Sequence, residues 1–372
     1  MSDLLLTNAR IVTADAVLKG TVVIRDGLIE SVETGATRAA GAIDLEGDYL
    51  LPGLVELHTD NLEKHFSPQP SVRWPAAAVI ARDALALGDL VGMARRLDTI
   101  HAMVRAIREA RASQALRAEH LLRLRCEISF PECDEMFRTV ADDPMIRLVS
   151  IMHHTPGQRQ FTDIGQYRLY YQKKHGLSDA EFEALVERQM AHQREHAGRN
   201  RNAVIGMARE LGLGLGPGLA LASHDEATAA HVEEAVAGGM TIAEFPTTRD
   251  AAQAAHSRGL SVLVGGPNIV LGKSHSGNIA ALELAKLGLV DVVSSDYVPA
   301  SMIQAPFLLT ARSSGLDLPA ATRLVSRNPA RAVGLDDRGE IAPGLRADLI
   351  RVSVIDDLPV VRTVWREGAR IA

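Results

Sequence analysis

Hydrophobic and polar positions change rhythm twice along the chain. Near the amino terminus, LLLTNARIV and TVVIRDGLIESV alternate or run apolar, and Asp26-Gly27 supplies a hairpin turn signal. The carboxy-terminal stretches IAPGLRADLIRVSV and PVVRTVWREGARI have the same rhythm of short strands with turn residues between them. In the long middle segment, apolar runs alternate with helical stretches instead. The strands predicted there are Leu54–Asp60, Ala78–Arg82, Leu121–Ile128, Ile146–His154, Leu219–His224, Thr241–Phe245, Ser261–Gly265 and Asp291–Ser295. Helices are predicted at Asp89–Arg117, Asp179–Leu211, Ala227–Ala237, Asp250–Ser257, Asn278–Leu287, Pro319–Val325 and Pro329–Val333. Eight strands with intervening helices predict an α/β chain folded as a (β/α)₈ TIM barrel. The glycine run GLGLGPG (residues 212–218) precedes a strand rather than following one. It therefore reads as a loop and not as a dinucleotide-binding fingerprint.

A barrel places its chemistry at the carboxyl ends of its strands. In this sequence the ionisable residues collect there. Strand one ends in His58-Thr59-Asp60, and residues two apart share a face, so His58 and Asp60 point the same way. Glu56 shares that face one step deeper and is expected to hydrogen-bond behind them. Strand three carries Glu127, strand four ends in His153-His154, strand five in His224, strand six carries Glu244, and strand eight ends in Asp296. Any one of these alone reads as a cap, a turn residue or a satisfied polar group. Together they would bring imidazoles and carboxylates to the barrel axis, where burial without partners is costly. Divalent cations relieve that cost, and a mixed His/carboxylate set suits two ions sharing a bridging group.

Composition narrows the classes without changing that picture. The chain has 372 residues and a formal net charge of −6, so no basic field argues for nucleic acid or an anionic membrane surface. No basic stripe with interleaved aromatics is present either. With two cysteines, Cys126 and Cys133, a disulfide framework is not expected, and the reading is a cytoplasmic protein. Cys126 points away from Glu127 and reads as a packed thiol, and Cys133 reads as a loop residue. The amino-terminal stretch lacks the features of a signal peptide, and no apolar run has the length of a membrane span.

The Pro52-Gly53 entry to strand one, the NPAR segment (residues 328–331) and GEIAPGLRADLI (residues 339–350) resemble the framework of the amidohydrolase superfamily. The segments ELHTDNLEKH, LRCEI, HTPGQRQF, SHDEAT, GGPNIVLGKSHSGN and SSDYVP resemble one branch of it. That branch acts in the carbon–phosphorus lyase pathway of phosphonate breakdown and cleaves a ribosyl triphosphate to monophosphate and diphosphate. The resemblance implies a metal-dependent barrel (residues 53–338) beside a small β-sandwich domain built from both termini (residues 1–52 plus 339–372). It implies two divalent metal ions per chain. His58 and Asp60 would hold the first, His154 and His224 the second, and Glu127 would bridge them. Asp296 would bind the first metal and take the proton of the attacking water. His153 also fits strand four, and His154 is chosen because the matching block begins there. Most of the superfamily carries His where this chain has Asp60. A carboxylate there makes the first site richer in oxygen, which brings Mn²⁺ or Fe²⁺ alongside the favoured Zn²⁺.

The implied partner is a small phosphorylated molecule, and a homo-oligomer stays open. An acidic protein needs local cations to hold a triphosphate. The candidates are Lys64 and His65 after strand one, Arg159 after strand four, and Lys273 and His275 after strand seven. Arg73 and Arg168 read instead as solvated surface charges. The backbone of SHSGN (residues 274–278), leading into a helix, is a further phosphate cradle. The competing readings are hydrolysis of a C–N bond in a cyclic amide or N-acyl substrate, and a metal-free scaffold. The full ligand set argues against the scaffold.

Overall fold

The computed structural model describes residues 4–59, 85–87, 96–159, 164–165, 167–168, 172, 176–215, 219–274, 277–312 and 314–372. The amino-terminal segment forms β1 (Leu4–Val12), β2 (Val17–Arg25), β3 (Leu28–Thr34), β4 (Ile43–Asp44) and β5 (Tyr49–Pro52). Strands and helices then alternate through β6 (Leu85–Leu87), α1 (Arg96–Ala112), β7 (Leu122–Glu127), α2 (Cys133–Arg138) and β8 (Ile146–Met152). Helices α3 (Asp179–His192) and α4 (Gly198–Leu215) follow, joined by a π-helical turn at Gln193–Ala197. Next come β9 (Ala220–His224), α5 (Ala229–Ala237), β10 (Ile242–Glu244), α6 (Arg249–Ser257) and β11 (Ser261–Gly265). The remainder contains α7 (Gly266–Leu271), α8 (Ala281–Lys286), β12 (Val292–Ser294), α9 (Ser301–Ala311), α10 (Leu318–Arg323) and α11 (Arg327–Ala332). The chain closes with β13 (Leu349–Ile355), β14 (Leu358–Arg366) and β15 (Ala369–Arg370). It divides into two compact units, Met1–Thr59 with Val264–Ala372, and Asp60–Leu263.

The first unit contains an eight-stranded sheet in the order β15-β14-β13-β5-β1-β2-β3, with β4 beside β1, so strands from both termini share one sheet. Alternation explains the first strand: Ala9 and Ile11 are buried, while Asn8 and Arg10 are exposed. Leu6, Ile11, Val22, Ile24, Leu50 and Trp365 pack into its core. The Asp26-Gly27 signal holds. Both residues have positive φ, 50° and 82°, as a type I′ hairpin turn requires.

In the second unit, strands β6 to β11 pair in parallel in sequence order. Strands β9 and β10 are buried throughout, which is why they read as continuous apolar runs. The register places Arg123, Ser150 and Glu244 on one face of the sheet. There Arg123 Nη2 donates to Glu244 Oε2 at 2.6 Å, and Ser150 Oγ donates to the same oxygen. Strands β7 and β10 are separated by β8 and β9. On a flat sheet their backbones would lie roughly 14 Å apart with side chains perpendicular to the plane. An ion pair at that separation requires the sheet to curl around the face that carries it.

Several expectations need correction. Leu54–Asp60 makes no ladder among its described residues, only a single parallel bridge from Thr59 to Asp296. Its backbone donors are satisfied elsewhere: Val55 N donates to Val325 O, and His58 N to the Glu56 carboxylate. The Ala78–Arg82 strand lies outside the described residues. The helix before β9 runs on through Leu215, so the first half of GLGLGPG is helical and not loop. Cys133 is buried at the start of α2, where a loop residue was expected. The segment after β11 turns at once into α7, with Gly265 and Pro267 marking its start.

Candidate metal centre

The parallel register builds a rung of side chains at the carboxyl ends of the strands in the second unit. Glu127 pairs with Met152 and Ile151 with Ser223, which sets Met152 beside His224, and His224 pairs with Glu244. His154 lies two residues beyond Met152. The loops leaving these ends are short and tied together. Thr228 caps α5 and Thr248 caps α6. Asp225 N donates to Glu244 O, and Thr247 N donates to Glu226 O, both at 2.8 Å. Asp225 (φ 57°) and Phe245 (φ 55°), each directly after its strand, hold left-handed backbone. Such conformations cost energy in a non-glycine residue and gather at functional sites.

His154 is the hub. Its Nδ1 is 2.9 Å from Glu127 Oε2, and its Nε2 is 3.3 Å from Asp225 Oδ2. The same Asp225 oxygen is 2.8 Å from His224 Nδ1. The two imidazoles meet edge to face, with centroids 5.4 Å apart. Glu127 is buried and also accepts from Ser129 Oγ at 2.8 Å. Burial opposes charge on His154, but the hydrogen bonds to Asp225 and Glu127 outweigh it and raise its pKa to about 9. Burial works the other way on His153, pushing it down to about 4, and lowers His224 as well. Burial would raise Asp225 and Glu127, but the neighbouring imidazoles hold both below the ordinary carboxylate range.

Ligand atoms of His154, His224 and Asp225 lie within 4.8 Å of one another. The two imidazoles, backed by buried carboxylates, are donors of the kind that fits a divalent cation. Of the two strand-four histidines, His154 is the one joined to this cluster by its ring nitrogens. Sequence reasoning gave no role to Asp225 or Glu226. Alternation points Asp225 away from His224, and its left-handed backbone breaks that alternation. Burial pushes Glu226 up to about 7 against the pull of Arg159.

Arg159, expected to grip phosphate, is instead buried in protein contacts. Nη1 donates to His224 O at 3.1 Å and lies 3.6 Å from Glu226, and Nη2 donates to Glu234 at 3.0 Å. Arg168 is the surface charge expected of it, paired with Asp179 at 2.7 Å. In the first unit, Glu56 accepts from His58 N at 2.8 Å and from Ser295 N at 2.9 Å, and Asp296 N donates to His58 O at 2.9 Å. This stitching holds the buried His58 beside Asp296, whose φ is 51°. Lys273 is exposed, beyond α7 rather than directly after a strand. Asp60, Lys64, His65, Arg73 and His275 lie outside the described residues. Among the described residues, no helix is long and apolar enough to cross a membrane.

Comparison with known proteins finds relatives in sequence and in fold. The chain is 42% identical to the alpha-D-ribose 1-methylphosphonate 5-triphosphate diphosphatase of Escherichia coli (strain K12), over 99% of this chain and 100% of that protein. The N-acetylglucosamine-6-phosphate deacetylase structure from Pasteurella multocida shares the fold at TM-score 0.63 and 13% identity, over 99% of both chains. The N-acetyl-D-glucosamine-6-phosphate deacetylase structure from Mycobacterium smegmatis superposes at TM-score 0.62 and 17% identity, over 99% of this chain and 100% of that one. A family model, "Amidohydrolase family", matches residues 175–372. On these grounds the chain belongs to the amidohydrolase family.

Proposed function

We propose that this protein hydrolyses α-D-ribose 1-methylphosphonate 5-triphosphate to the 5-phosphate and diphosphate in phosphonate catabolism. The observation that carries the reading is 42% identity along essentially the whole of both chains to an enzyme of that name. The cluster of Glu127, His154 and His224 at the strand ends supports it. In this reading the parallel strands close as a (β/α)₈ barrel over residues 53–338. Residues 1–52 and 339–372 form the composite β-sandwich domain.

Two divalent cations are assigned, Zn²⁺ favoured and Mn²⁺ or Fe²⁺ admitted by the carboxylate of Asp60. His58, Asp60 and Asp296 would hold the first, His154 and His224 the second, and Glu127 would serve both. When bound, such ions lower the pKa of a shared water and polarise a phosphoryl oxygen. The chain's own residues do the rest. Asp296 accepts a proton from the attacking water as its oxygen bonds to the phosphorus nearest the ribose. The anhydride bond to the next phosphorus breaks, and diphosphate leaves. Lys64, His65, Lys273 and His275 supply positive charge for the triphosphate. The buried, carboxylate-paired Arg159 is left out of that group.

Product analysis tests the reading. The purified protein is expected to release one diphosphate per ribosyl triphosphate consumed. Release of ammonia or acetate from amide substrates, without diphosphate from the triphosphate, would replace this reading with C–N hydrolysis.

A further inference from the structure

Asp225 is placed between the two histidines in a way that a turn does not require. Left-handed backbone suits Asp, so φ 57° alone would mark a turn residue. Asp26, Asp356 and Asp357 hold the same conformation in hairpin turns, and all are exposed. Asp225 is only 3% exposed. Its Oδ2 is 2.8 Å from His224 Nδ1 and 3.3 Å from His154 Nε2. Its N–H donates to Glu244 O at 2.8 Å, which anchors its backbone to the end of β10. Backbone conformation and backbone pairing thus both hold one carboxylate oxygen in ion-pair contact with two imidazoles.

We propose that Asp225 is a positioning residue for the metal centre. Its Oδ2 stands against the Nδ1 edge of His224, which leaves the Nε2 edge of the ring for the cation. It also holds the His154 ring in place next to Glu127. A carboxylate behind a ligating imidazole both orients the ring and raises its basicity. This inference rests on the metal reading of the site given above.

Two variants separate the carboxylate from the turn. Asp225→Gly keeps a left-handed backbone accessible while removing the side chain. Asp225→Asn keeps the side chain's shape and an oxygen beside His224 Nδ1 but removes the charge. Apparent affinity for Zn²⁺ is measured by competition with a chromophoric chelator. The visible spectrum of the Co²⁺-substituted protein reports ligand geometry. Asp225→Gly is expected to weaken Zn²⁺ binding by about 10–100-fold and to alter the Co²⁺ bands. Asp225→Asn, which loses the charge but not the shape, is expected to lose less affinity than Asp225→Gly and to keep wild-type Co²⁺ bands. Wild-type affinity and spectrum in Asp225→Gly would overturn the inference and leave a plain turn residue. An equal loss in both variants would also overturn it, making Asp225 a direct anionic ligand. A wild-type protein with no Co²⁺ bands would instead overturn the metal reading, and this inference with it.

Discussion

The buried face of the terminal sheet carries Leu6, Ile11, Val22, Ile24, Leu50 and Trp365, with Asn8 and Arg10 turned to solvent. The inward face of the parallel strands carries Arg123, Glu127, Ser150, His224 and Glu244, all buried. Both sheets obey the same period-two rule, but they use it for opposite ends. In the first, burial of apolar area is itself the stabilising contribution. In the second, each buried charge is tolerable only because another group is held against it. A region that accepts that cost in an ordered rung at its strand ends is organised around chemistry. The apolar sheet frames the chain and does not react.

The largest effect on stability should come from breaking the ion pair of the polar face. Arg123→Met leaves Glu244 buried without its partner and should cost about 3–5 kcal/mol by denaturant titration. The double variant Arg123→Met/Glu244→Leu should recover most of that loss. A single variant as stable as wild type would show that the polar face does not depend on its pairing. In the terminal sheet, Leu50→Ala should cost about 2–5 kcal/mol through its cavity. Turnover per folded molecule should stay unchanged, and a loss of turnover at full folding would erase the contrast between the two regions.

The contrast also explains what the sequence made legible. Strands β7 to β12 could be read because each is a short apolar run bounded by turn residues. Glu127, His154 and His224 could be read because they break those runs at one end. Asp225 was hidden by a local event, a left-handed residue that breaks the expected alternation. Arg159 was hidden by a distant one, since Glu234, which takes its charge, lies 75 residues away. The absence of a ladder at residues 54–59 was hidden because Glu56 satisfies backbone amides that a neighbouring strand would otherwise pair. Helix α4 continues through Gly212 and Gly214 although each costs about 1 kcal/mol in a helix interior, and propensity alone would have ended it sooner.

A smaller effect concerns pH. In the metal-free protein, His154 has its pKa raised to about 9 from an ordinary 6.5. Its contribution to stability is therefore complete below about pH 6.5 and is lost as pH rises through 9. The loss is at most on the order of 3 kcal/mol. Thermal unfolding of chelator-treated protein across that window should show a falling Tm. The slope should disappear with a cation bound, because metal binding needs the neutral imidazole. A flat profile in metal-free protein would remove His154 from the hub of the cluster. The smallest effect belongs to the terminal sheet. Gly27 has φ 82°, and a Cβ there would lie 3.1 Å from Glu367 O. Gly27→Ala should cost about 1–2 kcal/mol without touching activity.

The most direct test of the central claim compares wild type with Asp296→Asn. Diphosphate release from the ribosyl triphosphate and divalent metal content are measured on the same samples. Metal and diphosphate release are expected in the wild type, and a folded Asp296→Asn protein with turnover abolished. Near-normal turnover in Asp296→Asn would contradict it.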